Sequence, residues 1–337
     1  MTSDRAPFRM GIIGAGIFAE ANHYPSLSHH ALHGVVQRVA ICDLDRGRAQ
    51  AMAGRYGWGA VYTDAAEMLR AEEFDAVIVC AGGPAHPDLA CQVLEAGLPV
   101  FLEKPAAIDL EGTQRIAACA TKAGLPVQVG HQKRHGMAHS RVRDIVADEA
   151  SFGRLVHIDS KQLGFPVFPT FYTCMLEWQC HNLDFVMALG GQVTEIEAKS
   201  FLVDDRHGAL NALLRFESGA IATLTWGTYG GPGPFSERVE VVGDRNKGVV
   251  IANARDVTLF EESTGVVWTS DWNPISQNQS HVFNGYVPQM QHFVECVRSG
   301  KEPAPSIHDE VRTMQVLTDI ATRAEIPLEW AFISSAP

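Results

Sequence analysis

The sequence predicts an α/β protein in two parts, a doubly wound parallel sheet followed by a domain built on a large, mostly antiparallel sheet. Three observations carry this. Short apolar runs alternate with helical patterns through the first part of the chain. A Gly-x-Gly-x-x-Ala turn stands between the first such run and the first helical pattern. After about Ala150 the texture changes to closely spaced runs rich in Val, Thr, Ile and Phe. A chain of 337 residues exceeds the size at which one core stops growing. Two domains are expected, a dinucleotide-binding domain at 1–130 and a substrate and oligomerisation domain at 131–337, with a helical connection over about 131–150.

In the first part, Arg9 to Ile13, Val39 to Cys42, Ala76 to Cys80, Pro99 to Leu102 and Val127 to Val129 read as strands. Arg46 to Tyr56, Asp64 to Leu69, Pro87 to Ala96 and Leu110 to Ala123 read as the crossover helices, several ending near Gly. In the second part, strands are expected at Leu155 to Ser160, Val193 to Leu202, Ala209 to Phe216, Ala220 to Trp226, Glu237 to Val242, Gly248 to Ala252 and Val257 to Glu261. Helices are expected at Glu177 to Ala188, Val287 to Arg298 and His308 to Ala324, and a Gly/Pro-rich loop at Gly227 to Pro234.

Composition narrows the function classes. The charge balance of 27 basic against 39 acidic residues, −12 in all, offers no footprint for nucleic acid or an anionic membrane. No apolar run approaches the roughly 20 residues that span a bilayer, and the first apolar stretch is broken by glycine, so a cytoplasmic protein is expected. Seven cysteines without a Cys-x-x-Cys pair point to reduced thiols packed as small hydrophobes.

The glycine turn is Gly11-Ile12-Ile13-Gly14-Ala15-Gly16-Ile17-Phe18-Ala19. Gly14 permits the tight turn, Gly16 lets backbone approach a pyrophosphate, and Ala19 allows close packing of helix on strand, while the helix N–H groups with Ile17 and Phe18 face the negative charge. Asp43 ends the second strand, where its carboxylate can accept both adenosine ribose hydroxyls and repel a phosphate. NAD is therefore expected over NADP, although Arg46 and Arg48 stand nearby.

His23 follows the turn, His86 lies in Ala81-Gly82-Gly83-Pro84-Ala85-His86, and Glu103-Lys104-Pro105 follows the fourth strand. Glu177-x-x-x-His181-x-x-Asp184 opens a helix of the second part, and Gly300-Lys301-Glu302-Pro303 precedes the final one. Together these motifs resemble the glucose-fructose oxidoreductase/inositol dehydrogenase/MocA family over nearly the whole chain. The resemblance implies a Rossmann domain plus a C-terminal α/β domain whose large open sheet makes homodimer or homotetramer contacts. It also implies a cis Lys104–Pro105 peptide, with Lys104 and His181 flanking the substrate carbon, and Glu103, Lys104 and His86 near the cofactor. The motif departs from the family's Asp-x-Gly-x-His-x-x-Asp in having Glu177 and Gln179, and Ala81-Gly82-Gly83 replaces Thr/Ser-Pro-Asn. Substrate identity is thus less transferable than fold or cofactor.

Oxidising a secondary alcohol needs a base, a hydride acceptor and a group that stabilises the developing oxyanion. Histidine, with an ordinary pKa of about 6.5, suits the base, so His181 is expected to transfer the proton and Lys104 to polarise the oxygen. Glu177 and Asp184 share its helix face. Trp178, Tyr172, Lys161 and Gln162 offer the apolar plane and polar groups that a sugar or cyclitol needs, and His131-Gln132-Lys133-Arg134 is either a solvated helix start or a binding site for an acidic or phosphorylated substrate. Cys174, Cys180, His181 and Glu177 lack the spacing of a zinc site, so no metal is expected. The expected activity is NAD-dependent hydride transfer with a sugar, glycoside or cyclitol. The rivals are redox-assisted glycoside cleavage or epimerisation, and a non-catalytic dinucleotide-binding regulator.

Overall fold

The computed structural model describes residues 6–164, 168–229, 235–261, 264–269 and 280–331. The chain forms two compact units. The first comprises residues 1–132 together with a later segment ending at Val311, and the second comprises residues 133–276 and the chain from Arg312 onward.

The first unit carries strands β1 (Phe8–Ile13), β2 (Val36–Cys42), β3 (Ala60–Tyr62), β4 (Ala76–Val79), β5 (Val100–Leu102) and β6 (Val127–Val129). Its helices are α1 (Tyr24–Leu27), α2 (Arg46–Tyr56), α3 (Ala65–Ala71), α4 (His86–Glu95) and α5 (Leu110–Ala123). The six strands are all parallel, in the order β3-β2-β1-β4-β5-β6. A strand covered by helices on both faces reads as a continuous apolar run, and alternate residues of these strands enter two cores. Met10, Ile12, Ile41, Ile78 and Phe101 pack on one side with Tyr24 and Leu27, while Ile13, Val77, Val79, Leu102 and Val129 pack on the other with Leu94 and Ile116. Asp45, Asp64 and Asp109 each accept a backbone N–H two to three residues into α2, α3 and α5, which fixes the helix starts.

The second unit begins with α6 (Met137–Ala147) and α7 (Glu149–Phe152), then strand β7 (Leu155–Gly164), and α8 (Phe171–Cys174) and α9 (Cys180–Gly190). Strands β8 (Val193–Leu202), β9 (Gly208–Phe216), β10 (Ile221–Gly227), β11 (Phe235–Gly243), β12 (Lys247–Ala252), β13 (Asp256–Glu261) and β14 (Thr264–Thr269) follow. They form one sheet of order β14-β13-β12-β11-β7-β10-β9-β8. It is antiparallel except for the β7/β10 pair. The remaining helices are α10 (Ser280–Phe283), α11 (Tyr286–Ser299) and α12 (Ile307–Arg323).

Several local readings need correction. α11 belongs to the first unit, not to the stretch after residue 131 in which the sequence places it, because Val287, Met290, Phe293 and Val294 bury their side chains in the core of the parallel sheet. β14 is an additional edge strand whose exposed valines carry no burial signal. Cys91 and Cys119 form a disulfide between α4 and α5 with Cα atoms 5.6 Å apart, so not all seven cysteines are thiols. No spacing rule detects a bridge between two packed helices. Of the expected loop at Gly227 to Pro234, residues 230–234 lie outside the described residues.

Candidate active site

In an open parallel sheet, ligands bind at the strands' carboxyl ends where the strand order reverses, here between β1 and β4. Gly14 leaves β1 with φ +113°, and a Cβ on it would lie 2.0 Å from the Cys80 carbonyl oxygen at the end of β4. Only glycine fits this turn. Around Gly16, by contrast, a Cβ would meet nothing within 4 Å, which leaves open backbone for a pyrophosphate to approach. Tyr24, whose phenol is pushed well up by burial, donates to the Gly14 carbonyl at 3.0 Å and braces the turn from below. Ile17 is 74% exposed, at the lip of the turn.

Asp43 follows β2. Its Oδ2 accepts the Ala15 N–H at 2.6 Å and its Oδ1 the Asp45 N–H at 2.9 Å, with Arg48 at 3.4 Å from Oδ1. A carboxylate offers about four acceptor positions, so two remain for ribose hydroxyls. The turn, the space at Gly16 and this carboxylate together fit a dinucleotide.

Lys104 follows β5. Its preceding residue, Glu103, is buried, and its Oε1 lies 2.8 Å from His23 Nε2 while its Oε2 accepts the Lys104 N–H at 3.1 Å. Glu103 thus holds the backbone at Lys104. The Lys104–Pro105 peptide is cis, and the ammonium lies 5.6 Å from the centroid of the Phe18 ring, a cation–π contact. His86 is equally interior: its Nε2 accepts the N–H groups of Ala81 and Gly82. His86 and Glu103 thus brace the loops that follow β4 and β5.

The sequence reading overlooked Tyr286, the first residue of α11. Its ring meets Phe18 edge-on at 6.2 Å, and burial, reinforced by Glu103, pushes its phenol up. It remains a hydrogen-bond donor. The only signal was an aromatic residue after Gly285 at a helix start.

In the second unit, His181 lies buried in the first turn of α9. The expected single helix from Glu177 is instead a π-helical turn, Met175–Gln179, running into α9, with Glu177 and Trp178 half-buried on the π turn. Such turns recur at functional sites. Asp184 is wholly buried and receives both ends of the Arg134 guanidinium at 2.6 and 2.7 Å. Tyr172 is buried in α8. Strand alternation separates the neighbours Lys161 and Gln162: Lys161 is exposed on one face of β7 and Gln162 is buried on the other. Cys174 and Cys180 are buried, and burial pushes the Cys174 thiol up to about 12, far from a ready thiolate.

A parallel sheet in this order with a glycine turn at its switch point and a carboxylate beyond the second strand is the architecture of a dinucleotide-binding domain. Residues 8–131 match the model of an oxidoreductase family described as having an NAD-binding Rossmann fold. The chain thus carries, over those residues, the NAD-binding domain described for the glucose-fructose oxidoreductase/inositol dehydrogenase/MocA family. It is 28% identical over 340 residues to inositol 2-dehydrogenase of Rhizobium meliloti, covering 94% of this chain and 96% of that protein. It is 25% identical over 328 residues to 4-carboxy-2-hydroxymuconate-6-semialdehyde dehydrogenase of Sphingobium sp., covering 94% and 99%. The crystal structure of a dehydrogenase from Chromobacterium violaceum superposes with a TM-score of 0.86 at 20% identity, covering 96% of each chain.

Proposed function

We propose that the protein is a dehydrogenase that moves a hydride between NAD and a secondary hydroxyl or ketone of a sugar, glycoside or cyclitol. The observation that carries this reading is the placement of Lys104. It stands at the carboxyl end of β5, its backbone fixed by Glu103 and its ammonium over Phe18 of the dinucleotide turn. The inositol 2-dehydrogenase relative supports the substrate class.

The cofactor supplies the hydride acceptor. Gly14, Gly16, Ile17, Phe18 and Asp43 hold it, and the Asp43 carboxylate favours NAD over NADP. His181 takes the proton of the substrate hydroxyl, and Lys104 stabilises the oxygen as negative charge develops on it. Glu177 and Trp178 line the substrate near His181, while Asp184, bound to Arg134, anchors α9.

The enzyme is further proposed to work in the cytoplasm as a homodimer or homotetramer joined through the exposed face of the eight-stranded sheet. Phe201, Leu213, Phe260 and Val267 share that face by strand register and are 41–74% exposed. No helix among the described residues is long and apolar enough to cross a membrane.

The reading is tested by following NADH and NADPH absorbance with a panel of sugars, glycosides and inositols. Stoichiometric NADH release with one of them is expected. Turnover without net NADH would reassign the chain to a redox-recycling reaction.

A further inference from the structure

Cys91 on α4 and Cys119 on α5 are bridged, while the other five cysteines are thiols. The bridge closes a seam along which the two helices touch turn by turn. A Cβ on Gly112 would lie 3.2 Å from Pro87 Cγ and 2.7 Å from Ala107 Cβ. The first turn of α5 therefore sits against both the first turn of α4 and the segment that follows Pro105. One turn further on, Arg115 binds Asp88 at 2.7 Å, and a turn beyond that the sulfurs meet.

The two sulfurs differ in access. Cys91 is 4% exposed, whereas Cys119 is partly exposed and lies one turn from Arg115, whose side chain is open to solvent like that of Asp88. An incoming thiolate thus reaches the Cys119 sulfur and expels Cys91. Once freed, the buried Cys91 thiol has an acceptor at hand in the Arg115 carbonyl, 3.9 Å away, so opening the bridge strands no buried polar group. The fold has a place for both redox states.

The seam also reaches the dinucleotide site. α4 opens with His86, about one and a half turns before Cys91. The His86 ring is bonded to the Ala81 and Gly82 N–H groups and to the Pro105 carbonyl. Any shift of α4 against α5 therefore acts on the loops after β4 and β5, and the second of these carries Lys104.

We propose that Cys91 and Cys119 form a reversible redox pair, with Cys119 the sulfur that exchanges with small disulfides of the glutathione type, and that the bridge latches the loops of the NAD site. The proposal rests on the NAD-binding and cytoplasmic readings. In a cytoplasm, where thiols are kept reduced, a protein disulfide is transient or sensing rather than a permanent staple. On oxidation, the Cys119 thiolate attacks oxidised glutathione and releases one glutathione thiol. The Cys91 thiolate then attacks the mixed disulfide at Cys119 and releases the second. Two protein thiols have passed two electrons and two protons to one glutathione disulfide, leaving the bridge and two glutathione thiols. The bridged form holds α4 and its His86 contacts in place and binds NAD more tightly. Linkage then requires NAD to favour the bridged form by the same factor.

The test equilibrates the full-length protein in glutathione buffers from fully oxidised to fully reduced, with and without NAD. Thiols are counted after denaturation, and NAD affinity is measured by calorimetry at each end. The bridged form is expected to bind NAD about fivefold more tightly, and saturating NAD to shift the thiol–disulfide equilibrium by the same factor toward the bridge. A staple that only stabilises the helices would move neither. Mass spectrometry should find glutathione on Cys119 in Cys91→Ser, and none on Cys91 in Cys119→Ser. If a variant does not fold, the two redox states of the unmodified protein decide. A bridge that excess reduced glutathione leaves intact, or that oxidised glutathione does not form, overturns the proposal. So does equal NAD affinity in the two forms, which leaves the dehydrogenase reading standing. Absence of NAD binding in both forms overturns both.

Discussion

His86 Nδ1 lies 2.8 Å from the carbonyl oxygen of Pro105. Because Nε2 already accepts two backbone N–H groups, from Ala81 and Gly82, the ring proton must sit on Nδ1 and be donated to Pro105. One imidazole therefore ties the loop after β4 to the loop that carries Lys104. The positions around the dinucleotide turn are set by such buried ties, His86 with Pro105 and Glu103 with His23, and their effects separate from those of residues facing the ligand.

Gly14→Ala and Gly16→Ala should fail differently. At Gly14 the added Cβ collides with the Cys80 carbonyl in a left-handed backbone conformation, so a loss of about 2–4 kcal/mol in stability is expected along with NAD binding. Gly16→Ala meets no protein atom within 4 Å and should melt near the unmodified temperature while weakening NAD by about tenfold or more, since the methyl group fills the approach of the pyrophosphate. Thermal denaturation and NAD titration check both. A Gly16→Ala protein with full NAD affinity would contradict the assigned turn.

Asp43→Asn keeps an acceptor for the Ala15 N–H but removes the charge, leaving Arg48, 3.4 Å away, without its anionic neighbour. NAD affinity should drop by about tenfold through the weakened ribose hydrogen bonds. NADP affinity should rise, because the guanidinium then faces the ribose phosphate. Fluorescence titration with both reduced cofactors measures the ratio, and equal affinities in the unmodified protein would refute the preference.

How much of this was legible in the sequence depends on the range over which each signal acts. The parallel sheet was readable because buried apolar runs, glycine turns and Asp caps are local signals. The edge strand β14 lacked burial, and the docking of α11 depends on Phe293 meeting Phe101 far away in the chain. The expectation for Lys104 and His181 rests on motifs, and their roles remain part of the proposal. The carboxylate that neutralises Lys133 lies 104 residues away, and no pattern around the basic run announces it. The π turns at Ala19–His23 and Met175–Gln179 need an extra residue per turn that periodicity alone does not distinguish from an α-helix.

His139 gives a pH dependence of stability with a definite sign. Its ordinary value of 6.5 is pushed down to about 3 in the folded protein, first by burial and then by Lys133. Between those values the unfolded chain binds a proton that the folded one refuses, so stability is lost as pH falls through the window from about 6.5 to about 3. Lys133 and Glu237 are the charged groups that face the ring. His139→Phe, which preserves the ring contact with Phe185 at 4.7 Å, should flatten the slope of urea midpoint against pH. Parallel slopes for the two proteins would show that His139 protonates freely in the fold.

The catalytic assignment makes the sharpest demand. His181→Ala should lower turnover by about a hundredfold to ten-thousandfold, the usual effect of removing a positioned acid–base group. NAD affinity should hardly change, because the imidazole acts on the reacting hydroxyl and not on the dinucleotide. Lys104→Ala should cost a comparable factor and also raise KM, since its charge attracts the substrate oxygen before the reaction as well as during it. If the two residues work as a unit on one proton and one oxygen, the double variant should be only slightly slower than either single variant. Groups that act together are grossly non-additive. Single-turnover hydride transfer for the four proteins, measured with the substrate identified by the panel, reads the chemical step free of product release. Independent multiplication of the two losses would mean that Lys104 and His181 serve different steps. A His181→Ala protein that keeps nearly its full chemical rate would leave Lys104 as the sole base, and its pH–rate profile would then follow the lysine alone.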